Sequence, residues 1–397
     1  MKKICFITKF VKGVHSYTGG METHASDLIN ELKKDKDYEI SIVTSRHPKG
    51  IKFENRDGIN LYYTDETIGR NPLSRYKFFK AVAKKLEKIK YEKKFDLLHI
   101  QSDFGMGYFQ YIDKKIPVVT TAHGTTIDEF RGSVKAKKYL LPIWLVCLPF
   151  YKRSEKNMLK NSDKVICVSD VVKRSLLKNY KVLNKNKMQT IFNGVDLNEF
   201  KKIKSKEVDL LRSKFAKQDD FLIISVGNII KQKGYPLLID AMPSILRNNK
   251  KVKLVIIGDG DYLNKLKYLV HRNHLENFVF FTGRVDRNDL KKYYSMSDCF
   301  AFPTLRGEGL PYVLIEAMAS GNVVVTTPNG GTDLVNHKNG IVLKKNSVNE
   351  IAMATLKLIR DKKYYNSLLR QSVKDVKEKC DLMKMVERNK KIYGEIL

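Results

Sequence analysis

The sequence predicts an α/β protein built from two doubly wound parallel sheets. Three observations carry this. The length of 397 residues exceeds what one hydrophobic core usually supports, so two domains are expected. Short β-branched runs alternate with helix-forming stretches along the chain, the pattern of βαβ units. Glycines punctuate the ends of the strand-like runs, where open parallel sheets bind ligands.

Hydrophobic residues make up 43% of the chain and aromatics 10%, which excludes a disordered chain. The five cysteines are scattered without a CxxC or a neighbouring histidine cluster, which argues against a disulfide framework or a zinc site and for a reducing compartment. The start, MKKICFITKF, has too short an apolar stretch for a signal peptide, and no run reaches the length needed to span a bilayer. The expectation is a soluble, intracellular protein. Net charge is +31, divided as +16 over residues 1–200 and +15 over the remainder. Charge so evenly spread fits nucleic acid, an anionic membrane or an anionic substrate, and equally a merely lysine-rich proteome.

Lys3–Thr8 reads as a buried strand, followed by a loop with Gly13, Gly19 and Gly20 and a helix from about Met21. Glycines there let backbone approach a bound group, but GxGxxG is absent and Gly19–Gly20 also reads as a plain turn. Glu39–Ser45 and Asn60–Thr64 continue the strands. Arg70–Lys94 carries ten basic residues against two acidic ones, with Phe78, Phe79, Val82, Leu86 and Ile89 at helical spacing. Such a helix either lies on an anionic membrane or packs its stripe on the sheet. Leu97–Gln101 is a strand with His99 in the core. Val118–Ala122 delivers His123–Gly124 at its carboxyl end, where a side chain is expected to face a cleft. Tyr139–Tyr151 is the most apolar run, flanked by Lys135, Lys137, Lys138, Lys152 and Arg153. Its Trp144 suits interfacial insertion, and a buried helix or loop is the other reading. Lys164–Val168 is a strand ending at Ser169, Asn193–Asp196 a turn, and Lys201–Lys206 an exposed linker.

The second half repeats the alternation. Phe221–Val226 ends at Gly227–Asn228, with Lys231, Lys233 and Gly234 following. Lys253–Ile257 ends at Gly258–Asp259–Gly260, and Phe278–Thr282 at Gly283–Arg284–Val285. The longest motif is Phe302–Gly331, FPTLRGEGLPYVLIEAMASGNVVVTTPNGG. A strand closes at Pro303, Glu308 sits on the next loop, and Pro311 suits the first turn of a helix through Ala319. Gly321 stops that helix, Asn322–Thr326 is a strand, and Pro328–Gly331 turns. A helix start with free N–H groups suits phosphate. Glu308 and Glu316 suit sugar hydroxyls on either side of it, although such a pair also reads as two surface acids. Ile341–Leu343, two polar helices at Val348–Arg360 and Lys362–Lys379, and a helix at Met383–Tyr393 complete the chain.

This run resembles the donor-binding segment of the retaining glycosyltransferases of family 4, glycosyl transferases group 1, whose architecture is called GT-B. Glu308, Glu316, Ala317–Ala319, Gly321, Val323–Val325 and Gly330–Gly331 fall on the family signature. The resemblance covers nearly the whole chain and is weakest over residues 40–95 and 130–160, which would shape the acceptor site. It implies two Rossmann-like domains facing across a cleft. Residues 1–195 would bind the acceptor, 196–380 the nucleotide-sugar, and 381–397 would cross back as a helix. It also implies retaining transfer of a hexose from a nucleoside diphosphate sugar, UDP- or GDP-linked, with no cofactor and no bound metal. Within that resemblance Gly19 and Gly20 face the donor diphosphate and sugar, and His123 lies beside the anomeric carbon. Lys233 and the backbone of Gly309, Leu310, Pro311 and Tyr312 hold the diphosphate. Glu308 binds the donor sugar, Glu316 the ribose, and the backbone at Gly283 the base. The family has arginine where this chain has Asn228, an amide that can bond phosphate but brings no charge. Lys231 is the available substitute.

Retaining chemistry calls for a carboxylate nucleophile near the anomeric carbon, and the first domain offers no candidate. The resemblance instead suggests a same-face displacement in which the leaving phosphate takes the acceptor's proton. The alternatives are another GT-B enzyme, such as a nucleotide-sugar epimerase or a phosphorylase, and a non-catalytic nucleotide-sugar-binding protein. No lysine sits in a context suited to pyridoxal phosphate, and nucleic-acid binding lacks any basic-aromatic module. The expected acceptor is a glycan or a lipid-linked sugar, reached from the cytoplasm at an anionic membrane surface.

Overall fold

The computed structural model describes all residues except 17–18, 70–71, 114–115, 129 and 132–140. Arg70, Lys135, Lys137, Lys138, Tyr139 and Leu140 therefore lie outside the described residues. Contacts divide the chain into two units, Met1–Asn193 with Leu382–Leu397, and Gly194–Asp381.

In the first unit, β1 (Lys2–Ile7), β2 (Tyr38–Thr44), β3 (Phe53–Arg56), β4 (Ile59–Tyr63), β5 (Leu97–Gln101), β6 (Val118–Ala122), β7 (Lys164–Cys167) and β8 (Met188–Thr190) form one sheet. Its order is β3-β4-β2-β1-β5-β6-β7-β8. Side chains alternate across a strand, and β1 shows the consequence. Ile4 and Phe6 join the core under α1 (Gly20–Leu32), whereas Cys5 and Ile7 join the one under α2 (Pro72–Lys93) and α3 (Leu141–Asn161). Both faces are thus covered, as a parallel sheet requires.

Only β3 runs antiparallel, against β4. Asp57 and Gly58 between them have φ of 51° and 80°, the left-handed pair of a two-residue hairpin. No strand is expected at residues 53–56 from sequence, because Glu54, Asn55 and Arg56 are polar and mark an edge.

The stripe of α2 is core. Phe78, Phe79, Val82, Leu86 and Ile89 are all under 5% exposed, which overturns the reading that this face lies on a membrane. Trp144 is 2% exposed and does not insert at an interface either. Its helix does leave Ile143, Leu145, Val146 and Phe150 exposed. Among the described residues, no helix is long and apolar enough to cross a membrane.

The second unit contains β9 (Phe221–Val226), β10 (Val252–Ile257), β11 (Val279–Gly283), β12 (Cys299–Phe302), β13 (Val323–Thr326) and β14 (Gly340–Val342). The order is β11-β10-β9-β12-β13-β14, all parallel. Counted from β9 this is 3-2-1-4-5-6, the doubly wound order, and its switch point falls between β9 and β12. Lys201–Lys206 is not a linker between units. It lies inside the second unit, where the Ile203 N–H donates to Ser295 Oγ at 3.0 Å.

The final helix, α6 (Leu382–Gly394), belongs to the first unit, its Met385, Val386, Ile392 and Tyr393 in the core beneath β1. Two further helices matter for the site, α4 (Arg287–Met296) and α5 (Tyr312–Ala319).

Candidate functional site

The loops that leave β9 and β12 at the switch point are stitched together. Leu305 N–H donates to the Gln232 carbonyl at 2.8 Å. Gly234 has φ of 70°, and a Cβ there would stand 2.0 Å from the Pro303 carbonyl oxygen. Only glycine permits that crossing. The crossing places Lys233 beside Glu308, 75 residues away, with Nζ donating to Oε1 at 2.9 Å. Arg306 Nε lies 3.3 Å from the same oxygen, and Thr304 Oγ1 donates to it at 3.3 Å. The Lys233 ammonium also sits 5.1 Å from the Phe302 ring centre. The Glu308 N–H donates to Asn329 O at 3.0 Å, which ties this loop to the one after β13.

Pro311 is the residue before the helix rather than in its first turn, with φ −68° and ψ 132°, so α5 begins at Tyr312. No side chain caps it, and the positive end of its dipole lies at Tyr312, an arrangement that suits an anion. Gly309 is half-buried and Leu310 4% exposed on the approach. The helix ends in a Schellman motif, with Asn322 N–H on Ala317 O at 3.0 Å and Gly321 N–H on Met318 O at 3.1 Å. The eight-residue helix bounded by Pro311 and Gly321 thus has its direction, and that of its Glu316, fixed locally.

Glu316 is 3% exposed. Arg287 Nε donates to its Oε1 at 3.1 Å and Tyr294 Oη to its Oε2 at 3.1 Å. The Arg287 guanidinium lies 5.3 Å from the Phe200 ring centre and 5.7 Å from that of Tyr312. Burial, then the Glu316 charge, hold the Tyr294 phenol well above its ordinary pKa, so it stays a donor.

The second unit therefore gathers Lys233, Glu308 and the α5 start through Tyr312, with Glu316 on the same helix. Asn228 stands exposed at the end of β9, and Lys231 is exposed in the following turn. Gly283, φ 73°, ends β11 with open space around the position of a Cβ.

Gly19, Gly20 and His123 belong to the first unit. Gly19 precedes α1 and its N–H donates to Glu22 Oε2 at 2.9 Å. His123 follows β6, but it is half-buried rather than exposed. Its Nε2 is 3.0 Å from Gln101 Oε1, and its ring packs edge-on against His24 at 5.0 Å. Burial, then the neighbouring His24 and His99, hold His123 well below the ordinary imidazole pKa and neutral at pH 7. The loop that carries it on is held by Glu155 of α3, whose two oxygens each lie 3.1 Å from Thr126 N.

Sequence reasoning missed Arg287, Tyr294, Thr304 and Gln101. Arg287 had a local hint in Gly283–Arg284–Val285 just ahead of it, and Gln101 had one in its place at a strand's carboxyl end.

The family model described as Glycosyltransferase Family 4 matches residues 18–199, and that described as Glycosyl transferases group 1 matches residues 207–375. An alpha-monoglucosyldiacylglycerol synthase of Streptococcus pneumoniae is 31% identical over 317 residues, covering 78% of this chain and 68% of that one. Sucrose-phosphate synthase of Thermosynechococcus elongatus matches the fold with a TM-score of 0.81 at 18% identity, over 100% of this chain and 99% of its own. Anabaena HepE, in complex with UDP and glucose, matches with 0.75 at 18% identity, over 99% of this chain and 100% of its own. With the sheet order, the paired glutamates and a relative of this identity and coverage in agreement, the chain belongs to glycosyltransferase family 4 and has the GT-B fold.

Proposed function

We propose that this glycosyltransferase is a retaining hexosyltransferase that uses a UDP- or GDP-linked sugar. The observation that carries the reading is the Lys233–Glu308 contact at the switch point beside the uncapped start of α5. A diphosphate can take Lys233 from Glu308 and bind the helix N–H groups, leaving Glu308 free to accept hydrogen bonds from the sugar. Glu316, shared with Arg287 and Tyr294, accepts from the ribose. Gly283 meets the base, and Gly19, Gly20 and His123 are contributed by residues 1–195 as the acceptor-binding part. The anomeric carbon–phosphate oxygen bond breaks, the acceptor oxygen bonds to that carbon from the same face, and the departing phosphate takes the acceptor's proton. Basic side chains and the helix start stabilise the leaving group, so this reading uses no metal.

For the acceptor we propose a lipid-linked or glycan hydroxyl at an anionic membrane surface. The pneumococcal relative's name supports a lipid, and so do exposed Leu145 and Val146 beside exposed Lys152, Arg153 and Lys156. One feature favours a second reading. Asn228 supplies no charge where the family has arginine, as a non-catalytic nucleotide-sugar-binding protein would tolerate.

Release of free nucleoside diphosphate from UDP-, GDP- and ADP-sugars separates the two. Release from one donor, lost in Glu308→Ala, is expected. Silence from every donor, with calorimetric nucleotide binding intact, would favour the non-catalytic protein.

A further inference from the structure

His99 and Gln101 lie two residues apart on β5 and so share one face of the sheet, the face over which α1 and α6 pack. Thr121 is the partner of Gln101 on β6. That register builds a buried polar chain. His123 Nε2 is 3.0 Å from Gln101 Oε1, Gln101 Nε2 is 3.3 Å from His99 Nε2, and His99 Nδ1 is 2.5 Å from Tyr393 Oη. Thr121 Oγ1 lies 2.7 Å from His99 Nε2. His99, Gln101 and Thr121 are each no more than 1% exposed, and Tyr393 is fully buried.

An amide has one acceptor oxygen and one donor nitrogen, so the orientation of Gln101, oxygen toward His123 and nitrogen toward His99, sets the proton positions along the chain. Gln101 Oε1 accepts, so His123 donates through an Nε2–H. Gln101 Nε2 donates, so His99 Nε2 carries a lone pair, which the Thr121 hydroxyl also donates to. His99 then carries its proton on Nδ1 and donates to Tyr393 Oη. A second proton on His99 would point an N–H at the amide N–H. Burial agrees with neutral rings, pushing His99 down to about 3 and the adjacent His24 down to about 4.

We propose that Gln101 is a positioning residue: it locks His123 as the Nε2–H tautomer, leaving the Nδ1 lone pair to accept a hydrogen bond from a substrate hydroxyl. Among the described residues, no hydrogen bond is made to His123 Nδ1. A neutral lone pair welcomes a hydroxyl and repels a phosphate oxygen, so this position selects the sugar end of the donor or the acceptor over the diphosphate. The inference rests on the reading of His123 as a substrate-facing residue.

The test is nitrogen-15 NMR of the imidazole rings in the full chain, where the two neutral tautomers give distinct nitrogen shifts. Comparison with His123→Asn assigns the His123 signals. The expected wild-type result is a proton on Nε2 alone. Gln101→Leu should yield a mixture of tautomers, together with a fall of about ten-fold in kcat for donor hydrolysis at nearly unchanged KM. Wild-type His123 protonated at Nδ1, or a Gln101→Leu spectrum identical to wild type, would overturn the proposal. Should Gln101→Leu fail to fold, the wild-type spectrum still decides. If no nucleotide-sugar is turned over, the proposed function falls while the spectrum continues to judge the tautomer.

Discussion

Glu155 makes a prediction whose size can be worked out. It is 5% exposed on α3, accepts from the Thr126 N–H through both oxygens, and accepts from the Tyr180 hydroxyl. Burial raises its pKa, the Tyr180 bond pulls it back, and the neighbouring Asp103 carboxylate raises it again, leaving it pushed up to about 7 from an ordinary 4.5. The folded chain therefore holds a proton that the unfolded chain has released between those values. Its contribution to stability is complete below about pH 4.5 and lost as pH rises through about 7. By linkage the loss amounts to about 3 kcal/mol. Glu155→Gln keeps an acceptor for Thr126 and cannot ionise. The gap between variant and wild type should thus be under about 1 kcal/mol at pH 5 and shift in favour of glutamine by about 3 kcal/mol at pH 8. The assay is urea unfolding between pH 5 and pH 8, read by the fluorescence of Trp144. That side chain is the only tryptophan and lies on the same helix, so it reports the first unit. A gap that stays constant across this range would refute the reasoning.

Two further outcomes test other parts of the molecule. Gly234→Ala adds a left-handed strain of about 1 kcal/mol to a Cβ 2.0 Å from the Pro303 carbonyl, so the crossing must open and carry Lys233 away from Glu308. Calorimetry should show nucleoside diphosphate affinity down by about ten-fold or more, and an unchanged affinity would mean that Lys233 does not hold the phosphates. Vesicles rich in anionic lipid should sediment the protein at low salt, less so as salt rises, and several-fold less for Leu145→Glu/Val146→Glu. Failure to sediment at low salt would remove the membrane-surface acceptor.

The second half of the chain was more legible than the first. The strand-loop-helix-strand order of Phe302–Gly331 is fixed by neighbours a few residues apart: Pro311, a run free of glycine and proline, then Gly321. The two candidate glutamates were visible for the same reason, since Glu308 and Glu316 lie on one short unit. The edge strand β3 was not visible, because a polar edge carries no apolar period. The stripe of α2 was ambiguous in sequence, because a membrane and a sheet call for the same amphipathic spacing.

The sequence by itself determined most of the buried strands, the helices bounded by proline and glycine, that there are two sheets, and which family the chain resembles. Those properties follow from local periodicity, glycine and proline placement, and a contiguous motif. Only the tertiary structure decided what those residues meet. Lys233 reaches Glu308, and Arg287 reaches Glu316, across 75 and 29 residues. The links from Tyr393 to His99 and from Gln101 to His123 span 294 and 22 residues. Such pairings depend on strand order and register, which are set by packing both faces of a sheet at once and leave no periodic trace in the sequence.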